Sequence, residues 1–312
     1  MLTRHAITQR ADADGVDALV AERDYILAHI ISQLHRADPA DGGSLVFKGG
    51  TALRFVHIRD YRYSADLDFS VTDGEPEPSI AALGEVLAAA KIHAGLPQLE
   101  LIGDEKPSIS YVGPLGASRA RQIKLDVTAD ELVETVTQGT MQPIWPDLPA
   151  PVAFNVYPLE EISAEKLRCI IQRVQCRDLY DLWRLTEDRG VVLDEVLPLF
   201  ERKAQSKGLD PAAFPARFED RIDRYKRRWI TEMSEHLADP PRFEDVVRAV
   251  RRQLRSSGLM QGRQPGQRLH ARAGPAVPPL RPPPSPDIPN GFMITHDPRH
   301  SSGAGHAGDI QH

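Results

Sequence analysis

The chain is poor in cysteine. Two thiols in 312 residues, Cys169 and Cys176, exclude a disulfide framework and form no metal-binding spacing, so a reducing compartment is expected. Long apolar runs are missing too. No stretch is long enough to span a bilayer, and the first residues, MLTRHAITQRADADG, contain no signal-peptide core. The expectation is a soluble, cytoplasmic protein with no membrane contact. Nor is there an excess of positive charge: the net charge of −6 argues against bulk attraction to nucleic acid and leaves room only for a local basic patch. Apolar periodicity is absent from the last stretch. Residues 261–312 hold ten of the 26 prolines, RPPPSPDIP among them, and five of the 11 histidines. Such a composition cannot offset its own ordering entropy, so residues 259–312 read as a disordered, Pro-rich tail. The scattered His270, His296, His300, His306 and His312 belong to that low-complexity segment rather than to a metal site.

What remains is well supplied with core-forming residues: 41% of the chain is hydrophobic, enough for one large or two modest domains. Val16–Leu34 is an amphipathic helix, Ser44–Phe47 a short strand, and a glycine turn leads to a helix from about Thr51. Asp66–Val71 is a strand and Ile80–Ala94 a helix. Gln98–Ile102, Ser108–Val112 and Gln122–Thr128 alternate or run apolar as strands do. After the connector QPIWPDLPAP comes a last strand near Phe154–Tyr157, and from there to Gly258 only helical periods follow. Strands mixed with helices, then helices alone, define an α+β head over 1–157 carrying an α-helical domain over 158–258. No internal repeat is visible.

One stretch concentrates the chemistry. VFKGGTALRFVHIRDYRYSADLDFSV, residues 46–71, places Arg62, Ser64, Asp66 and Asp68 at two-residue intervals. In extended chain these share one face, while Leu67, Phe69 and Val71 point to the core. Two carboxylates about 6.5–7 Å apart at Cα repel unless a cation lies between them, and their spacing suits the two-metal geometry of phosphoryl transfer. Mg²⁺ favours such a set of carboxylates, phosphates and water. A lone D-x-D is common on exposed strands, so context decides. Upstream, Lys48-Gly49-Gly50-Thr51 is a turn whose glycines allow close backbone approach to phosphate; the bland reading is a tight turn capped by Thr51. Downstream, QIKLDVT puts Lys124, Asp126 and Thr128 on one face of a strand. If that strand lies beside the first, Asp126 comes within reach of Asp66 and Asp68.

Lys48-Gly49-Gly50-Thr51-Ala52-Leu53 followed by Arg62-x-Ser64-x-Asp66-x-Asp68-Phe69 resembles the signature of the AbiEii/AbiGii-type nucleotidyltransferase toxins. The later EEISAEKLRCIIQRVQCRDLYDLWRL, residues 160–185, is similar to that family's second signature, a Lys-Leu helix followed by Arg-Asp-x-x-Asp-Leu. The motif order covers roughly residues 20–240. The resemblance implies a mixed-sheet nucleotidyltransferase head of the DNA polymerase β type, Mg²⁺ or Mn²⁺, a nucleoside triphosphate (ATP or another NTP) as substrate, and a separately encoded antitoxin. A role in phage defence and addition of nucleotides to the tRNA 3′ end come with it. It also implies roles residue by residue. Asp66 and Asp68 hold metal, with Asp126 as the third carboxylate. Lys48, Gly49, Gly50, Thr51, Arg62 and Ser64 form the nucleotide cradle, and Lys166 and Asp181 belong to the second signature. Two other readings keep the fold: transfer to a protein hydroxyl or a small molecule, and a non-catalytic nucleotide-binding protein. The intact Asp66/Asp68 pair counts against the latter.

Lys166 and Asp181 pose a geometric problem, since an unbroken helix would separate them by about 22 Å. Either the chain turns near Cys176–Asp178 or they serve opposite ends of a large substrate. Lys166 could also be a solvated lysine near a helix start capped by Ser163, and Asp178 reads as an N-cap. Finally, residues 217–255 hold 11 Lys or Arg against 8 Asp or Glu. Arg248, Arg251, Arg252 and Arg255 fall on one helical side, where they could track RNA phosphates with Tyr225 and Trp229 stacking on bases, or simply form a solvated, ion-paired face.

Overall fold

Apolar alternation builds a mixed seven-stranded sheet in the order β3-β4-β5-β2-β1-β7-β6. The computed structural model describes residues 1–37, 45–72, 76–96, 98–103 and 107–260. The strands are β1 (Leu45–Lys48), β2 (Leu67–Val71), β3 (Leu99–Ile102), β4 (Ser108–Tyr111), β5 (Arg121–Thr128), β6 (Thr137–Gly139) and β7 (Phe154–Val156). β2 runs antiparallel to β1 and parallel to β5. The side chains at alternate positions, Leu67, Phe69 and Val71, are buried, and Phe47 packs on Phe69 and Phe154 at centroid distances of 5.5 and 6.1 Å.

Helices α1 (Arg4–Asp14), α2 (Ala18–Ile31) and α4 (Pro76–Ala94) accompany the sheet. The long helix expected from Val16 begins instead after Asp17, whose side chain accepts from the Leu19 amide, and its end breaks into a 3₁₀ turn at Leu34–Arg36. Helix α1 was not foreseen. It buries only Ile7 and Ala11 among polar residues, too thin a stripe to register as a period.

β1 turns directly into α3 (Gly49–Ala52), which continues as a π-helical turn over Leu53–His57. The expected strand from Asp66 begins at Leu67, so Arg62, Ser64 and Asp66 lie on the irregular segment that leads into it. β6 was missed because TQG is too short and too polar to read as a strand.

From Leu159 onward the described chain is helical, as expected: α5 (Leu159–Gln172), α6 (Cys176–Glu187), α7 (Leu193–Ser206), α8 (Phe214–Met233) and α9 (Phe243–Ser256). Helix α5 packs against α6, α7 and α8, and α9 packs against α6. Phe214, Phe218, Tyr225, Trp229 and Met233 form the buried stripe of α8. Among the described residues no helix is long and apolar enough to cross a membrane. Residues 261–312, nearly all of the expected tail, lie outside the described residues.

Candidate active site

Three neighbouring strands bring three charged residues into one row. The antiparallel register sets Lys48 opposite Asp68, and the parallel register sets Asp68 opposite Asp126. Residues paired directly across strands project from the same face, and all three line a cavity of about 450 Å³ between the sheet and α5–α6. Gly49, Gly50, Arg62, Ser64 and Asp66 line it from the sheet side, and Lys166 from α5. The two glycines have distinct reasons. Gly49 adopts φ 78°, a left-handed conformation, and a Cβ there would lie 2.5 Å from Asp68 Oδ2. A Cβ on Gly50 would overlap the Arg62 guanidinium.

Thr51 does not line the cavity. It is fully buried, and its hydroxyl bridges Ser64 Oγ, at 2.8 Å, and the Asp66 carbonyl. Nor does it cap the helix, because Lys48 occupies that position without a side-chain bond. Its role here is to hold the Ser64–Asp66 segment against the turn.

The second signature converges on the first. Arg62 is 1% exposed, and its Nε and Nη2 donate to Asp181 Oδ1 and Oδ2, both at 2.7 Å. Lys166 Nζ lies 2.7 Å from Asp181 Oδ2 and 3.0 Å from Asp178 Oδ1. Arg173 Nε donates to Asp178 Oδ2 at 2.9 Å. The chain leaves α5 at Arg173 and re-enters helix at Cys176, which resolves the separation of Lys166 and Asp181 by a turn. Lys166 is therefore a buried mid-helix residue, not a solvated one at a capped start; the N-cap of α5 is Pro158, and Ser163 Oγ donates to the Leu159 carbonyl. Asp178 is likewise not an N-cap. Gln175 holds that position, and Asp178 stands in the first turn of α6 with its carboxylate turned to Lys166 and Arg173.

Burial by itself would raise the Asp181 carboxyl, but Arg62 and Lys166 outweigh it and hold it well below the usual carboxylate range. The same pairing keeps Lys166 protonated against its burial. Arg62, Lys166 and Arg173 stand against Asp178 and Asp181, so this hub carries one net positive charge beside the cavity. Asp181 itself is fully buried and does not line the cavity.

Each cation on the cavity wall has an acidic partner. Lys48 lies 3.3 Å from Glu165 and 3.9 Å from Glu131. Arg168 is 3.5 Å from both of those acids. Lys207 pairs with Asp130 at 2.8 Å, Lys124 with Asp126 at 3.4 Å, and Arg177 with Asp66 at 3.5 Å. Burial would raise the Glu165 carboxyl, yet Lys48 and Arg168 bring it down to about 2.

Asp68 differs. Among the described residues it is the one cavity carboxylate that forms no ion pair. Burial, with the like charge of Asp66 behind it, pushes its carboxyl up to about 6 despite Lys48.

Among the described residues no three His, Cys, Asp or Glu side chains are gathered as a formed metal site. Asp66 and Asp126 lean to Arg177 and Lys124 instead. The donor set nonetheless suits a hard divalent cation: carboxylate oxygens facing an open polar cavity, one of them uncompensated.

Glu131, Glu165, Arg168, Arg173, Arg177 and Lys207 also line the cavity and were not singled out from sequence. Glu165, Arg168, Arg173 and Arg177 lay within the quoted second signature, Arg177 as the arginine of its Arg-Asp-x-x-Asp-Leu. The acids Glu131 and Glu165 look like ordinary surface residues until Lys48 is buried between them. The far rim is held from the helical side. Glu161, fully buried, accepts from the amides of Glu134 and Thr135 at 2.6 and 2.9 Å. Lys203, also fully buried, lies 3.0 Å from Glu161 and donates to the Leu132 carbonyl.

On the basic face of α9 three of the four arginines are ion-paired, as expected of a solvated face. Arg251 pairs with Glu219, Arg252 with Glu187 and Arg248 with Asp245. Tyr225 and Trp229, proposed to stack on bases, are both fully buried; the Trp229 indole donates to the Pro241 carbonyl at 2.7 Å.

Comparison with known proteins agrees with the two signatures. The sequence profile of the nucleotidyl transferase AbiEii toxins of type IV toxin–antitoxin systems matches residues 33–249. The chain belongs to that family and is a nucleotidyltransferase toxin, with an antitoxin partner and a nucleoside triphosphate substrate implied by the family. Among solved structures it is similar to MenT4, a nucleotidyltransferase toxin from Mycobacterium tuberculosis H37Rv, at a TM-score of 0.56 and 18% identity. That likeness covers 85% of this chain and 91% of the other. At that identity it establishes the shared α+β fold. No curated protein matches the chain.

Proposed function

We propose that the protein transfers a nucleoside monophosphate from a nucleoside triphosphate to an acceptor hydroxyl, with the 3′ end of tRNA as the acceptor. The observation that carries this reading is the Lys48–Asp68–Asp126 row with Asp68 lacking a cation of its own. A half-buried carboxylate with a like charge beside it and no ion-pair partner is costly unless a ligand supplies the missing charge.

In the reaction the acceptor oxygen attacks the α-phosphorus, and the bond from that phosphorus to the bridging oxygen breaks. Pyrophosphate leaves. Gly49, Gly50 and Ser64 line the cavity where the phosphates lie, and the glycine backbone can approach them without a Cβ in the way. Asp126 is half-exposed at the cavity edge and orients the acceptor hydroxyl or takes its proton. Lys166 acts as part of the hub with Arg62 and Arg173, whose net charge faces the triphosphate. Asp66, Asp68 and Asp126 are the residues that would hold Mg²⁺ or Mn²⁺. Such a cation screens phosphate charge when bound. Asp181 acts through Arg62 and Lys166. With no protein nucleophile in the scheme, catalysis is positioning and charge stabilisation.

Transfer to a protein hydroxyl is the second reading, favoured by one observation: three of the four arginines of α9, Arg248, Arg251 and Arg252, are engaged with acids rather than free for phosphate. The test of both is incubation of purified protein with Mg²⁺, each labelled NTP and either total RNA or cell protein. Label in RNA of tRNA size supports the first reading, and label confined to protein replaces it with the second. No transfer to either overturns both.

A further inference from the structure

Arg177 stands at the start of α6, next to the hub acid Asp178, yet it takes no part in the hub. Its Nη1 reaches across the cavity to Asp66 Oδ2 at 3.5 Å, with 30% of its side chain and 24% of that of Asp66 exposed. This pair is loose: the separation is an ion-pair distance and no hydrogen bond joins the two. The contrast with Arg62 and Asp181, two bonds at 2.7 Å in full burial, is one of kind. One arginine is locked in place, and the other holds its acid at arm's length at the mouth of the same cavity. Asp66 is also the like charge that weighs most on Asp68. A cation drawn to these carboxylates therefore has Arg177 as its direct competitor for Asp66, and a triphosphate entering the cavity meets Arg177 as one of its more accessible cations.

We propose that Arg177 is an internal counter-ion of the nucleotide-free site, which holds Asp66 until nucleotide and divalent cation load and then passes to the triphosphate. The proposal rests on the reading above that Asp66 and Asp68 receive a divalent cation. Its physical basis is exchange of one partner for another. The guanidinium gives up a single weak contact to a carboxylate and gains a planar donor fork on phosphate oxygens, which it fits better. Asp66 loses one positive neighbour and gains another. The charge of the site is thus nearly balanced at both ends of the exchange, so loading need not leave Asp66 and Asp68 facing each other uncompensated.

The two halves of the exchange are measured separately. Calorimetric titration of Mn²⁺ into nucleotide-free protein compares wild type, Arg177→Gln and Arg177→Lys. Removing the competitor makes Mn²⁺ bind several-fold more tightly to Arg177→Gln, while Arg177→Lys stays near wild type because its ammonium still occupies Asp66. In steady-state kinetics, Arg177→Gln raises KM for NTP about tenfold with a smaller change in kcat, and Arg177→Lys recovers part of that loss. Unchanged or weaker Mn²⁺ binding by Arg177→Gln overturns the counter-ion role even if activity falls. Tighter Mn²⁺ binding with an unchanged KM overturns the hand-over to triphosphate. Mn²⁺ binding that survives Asp68→Asn at full strength removes the cation from these carboxylates and overturns the underlying reading as well.

Discussion

Arg62 and Asp181 form a two-pronged ion pair at 2.7 Å in which neither side chain sees solvent. It joins the segment before β2 to helix α6, and Lys166 and the Tyr61 hydroxyl close on the same carboxylate. The second signature is therefore first of all a joint. It fixes the wall of the cavity opposite the three strand residues.

Asp181→Ala strands the buried Arg62 guanidinium and leaves Lys166 with Asp178 alone. Breaking a buried pair from one side costs about 3–5 kcal/mol, so this variant should lose that much stability in urea unfolding and lose transfer activity with it. An Asp181→Ala protein with the wild-type midpoint and no activity would place the carboxylate against substrate instead.

Asp68→Asn should do the reverse to stability. It removes an uncompensated charge from beside Asp66, so nucleotide-free protein at pH 7–8 gains about 1–2 kcal/mol while transfer is abolished. Asp66→Asn should gain less, since Asp66 already has Arg177. Thermal melting and transfer assays on the same preparations check both. A destabilised Asp68→Asn protein would show that Asp68 is satisfied within the fold.

Acid should weaken the fold through two histidines. Burial, reinforced by Arg62 and Arg177, lowers His236 to about 3, and burial lowers His29 to about 4 against the pull of Asp147. Both stay neutral when folded, whereas the unfolded chain takes up their protons below about pH 6.5. Their contribution is complete above that value and is lost as pH falls towards 4 and then 3, with His236 alone accounting for roughly 3 kcal/mol by pH 4. Urea midpoints should hold from pH 7.5 to about 6.5 and fall from there to pH 4.5, and His236→Gln should flatten that fall. An equal slope in the variant would move the effect elsewhere.

Gly49→Ala forces a side chain into a left-handed conformation, at about 1–2 kcal/mol. It also sets a methyl group against Asp68 Oδ2, 2.5 Å from where the Cβ would be. Activity should fall by far more than the lost stability accounts for, because the displaced group is the central carboxylate of the row. Comparable losses in both would reduce Gly49 to a turn residue.

The arginines of α9 should matter little to an RNA acceptor. Arg251→Ala and Arg252→Ala remove exposed ion pairs worth about 0–1 kcal/mol each. The salt dependence of KM for RNA should keep its slope, whereas each lost phosphate contact would lower that slope by about one.

Much of the sheet could be read in advance, because burial on one face leaves a period of two in the sequence. Leu67, Phe69 and Val71 announced the core, and Lys124, Asp126 and Thr128 announced a polar face. The extended backbone before β2 preserves that parity, so Arg62, Ser64, Asp66 and Asp68 do line one cavity although only Asp68 is in the strand. What the pattern could not convey is which charges are spent on one another. Arg62 looked like a group facing substrate, and its partner lies 119 residues away. Lys48 looked like part of a phosphate turn, and its acids come from α5 and the loop after β5. Tyr225 and Trp229 looked like stacking platforms because aromatic residues among arginines carry the same letters whether they face solvent or core. Long-range pairing leaves no local period, and exposure of a single aromatic leaves none either.

The same 119-residue separation sets an order of events at the ribosome. The strands that carry Lys48, Asp68 and Asp126 are complete when β5 has emerged, yet Arg62 then has no anion to enter the interior with, because Asp181 has still to be synthesised. The sheet must wait, with its cation solvated, until α5 and α6 arrive and the pair can close. A nascent or truncated chain that ends before α6 thus carries every carboxylate of the row and no assembled cavity.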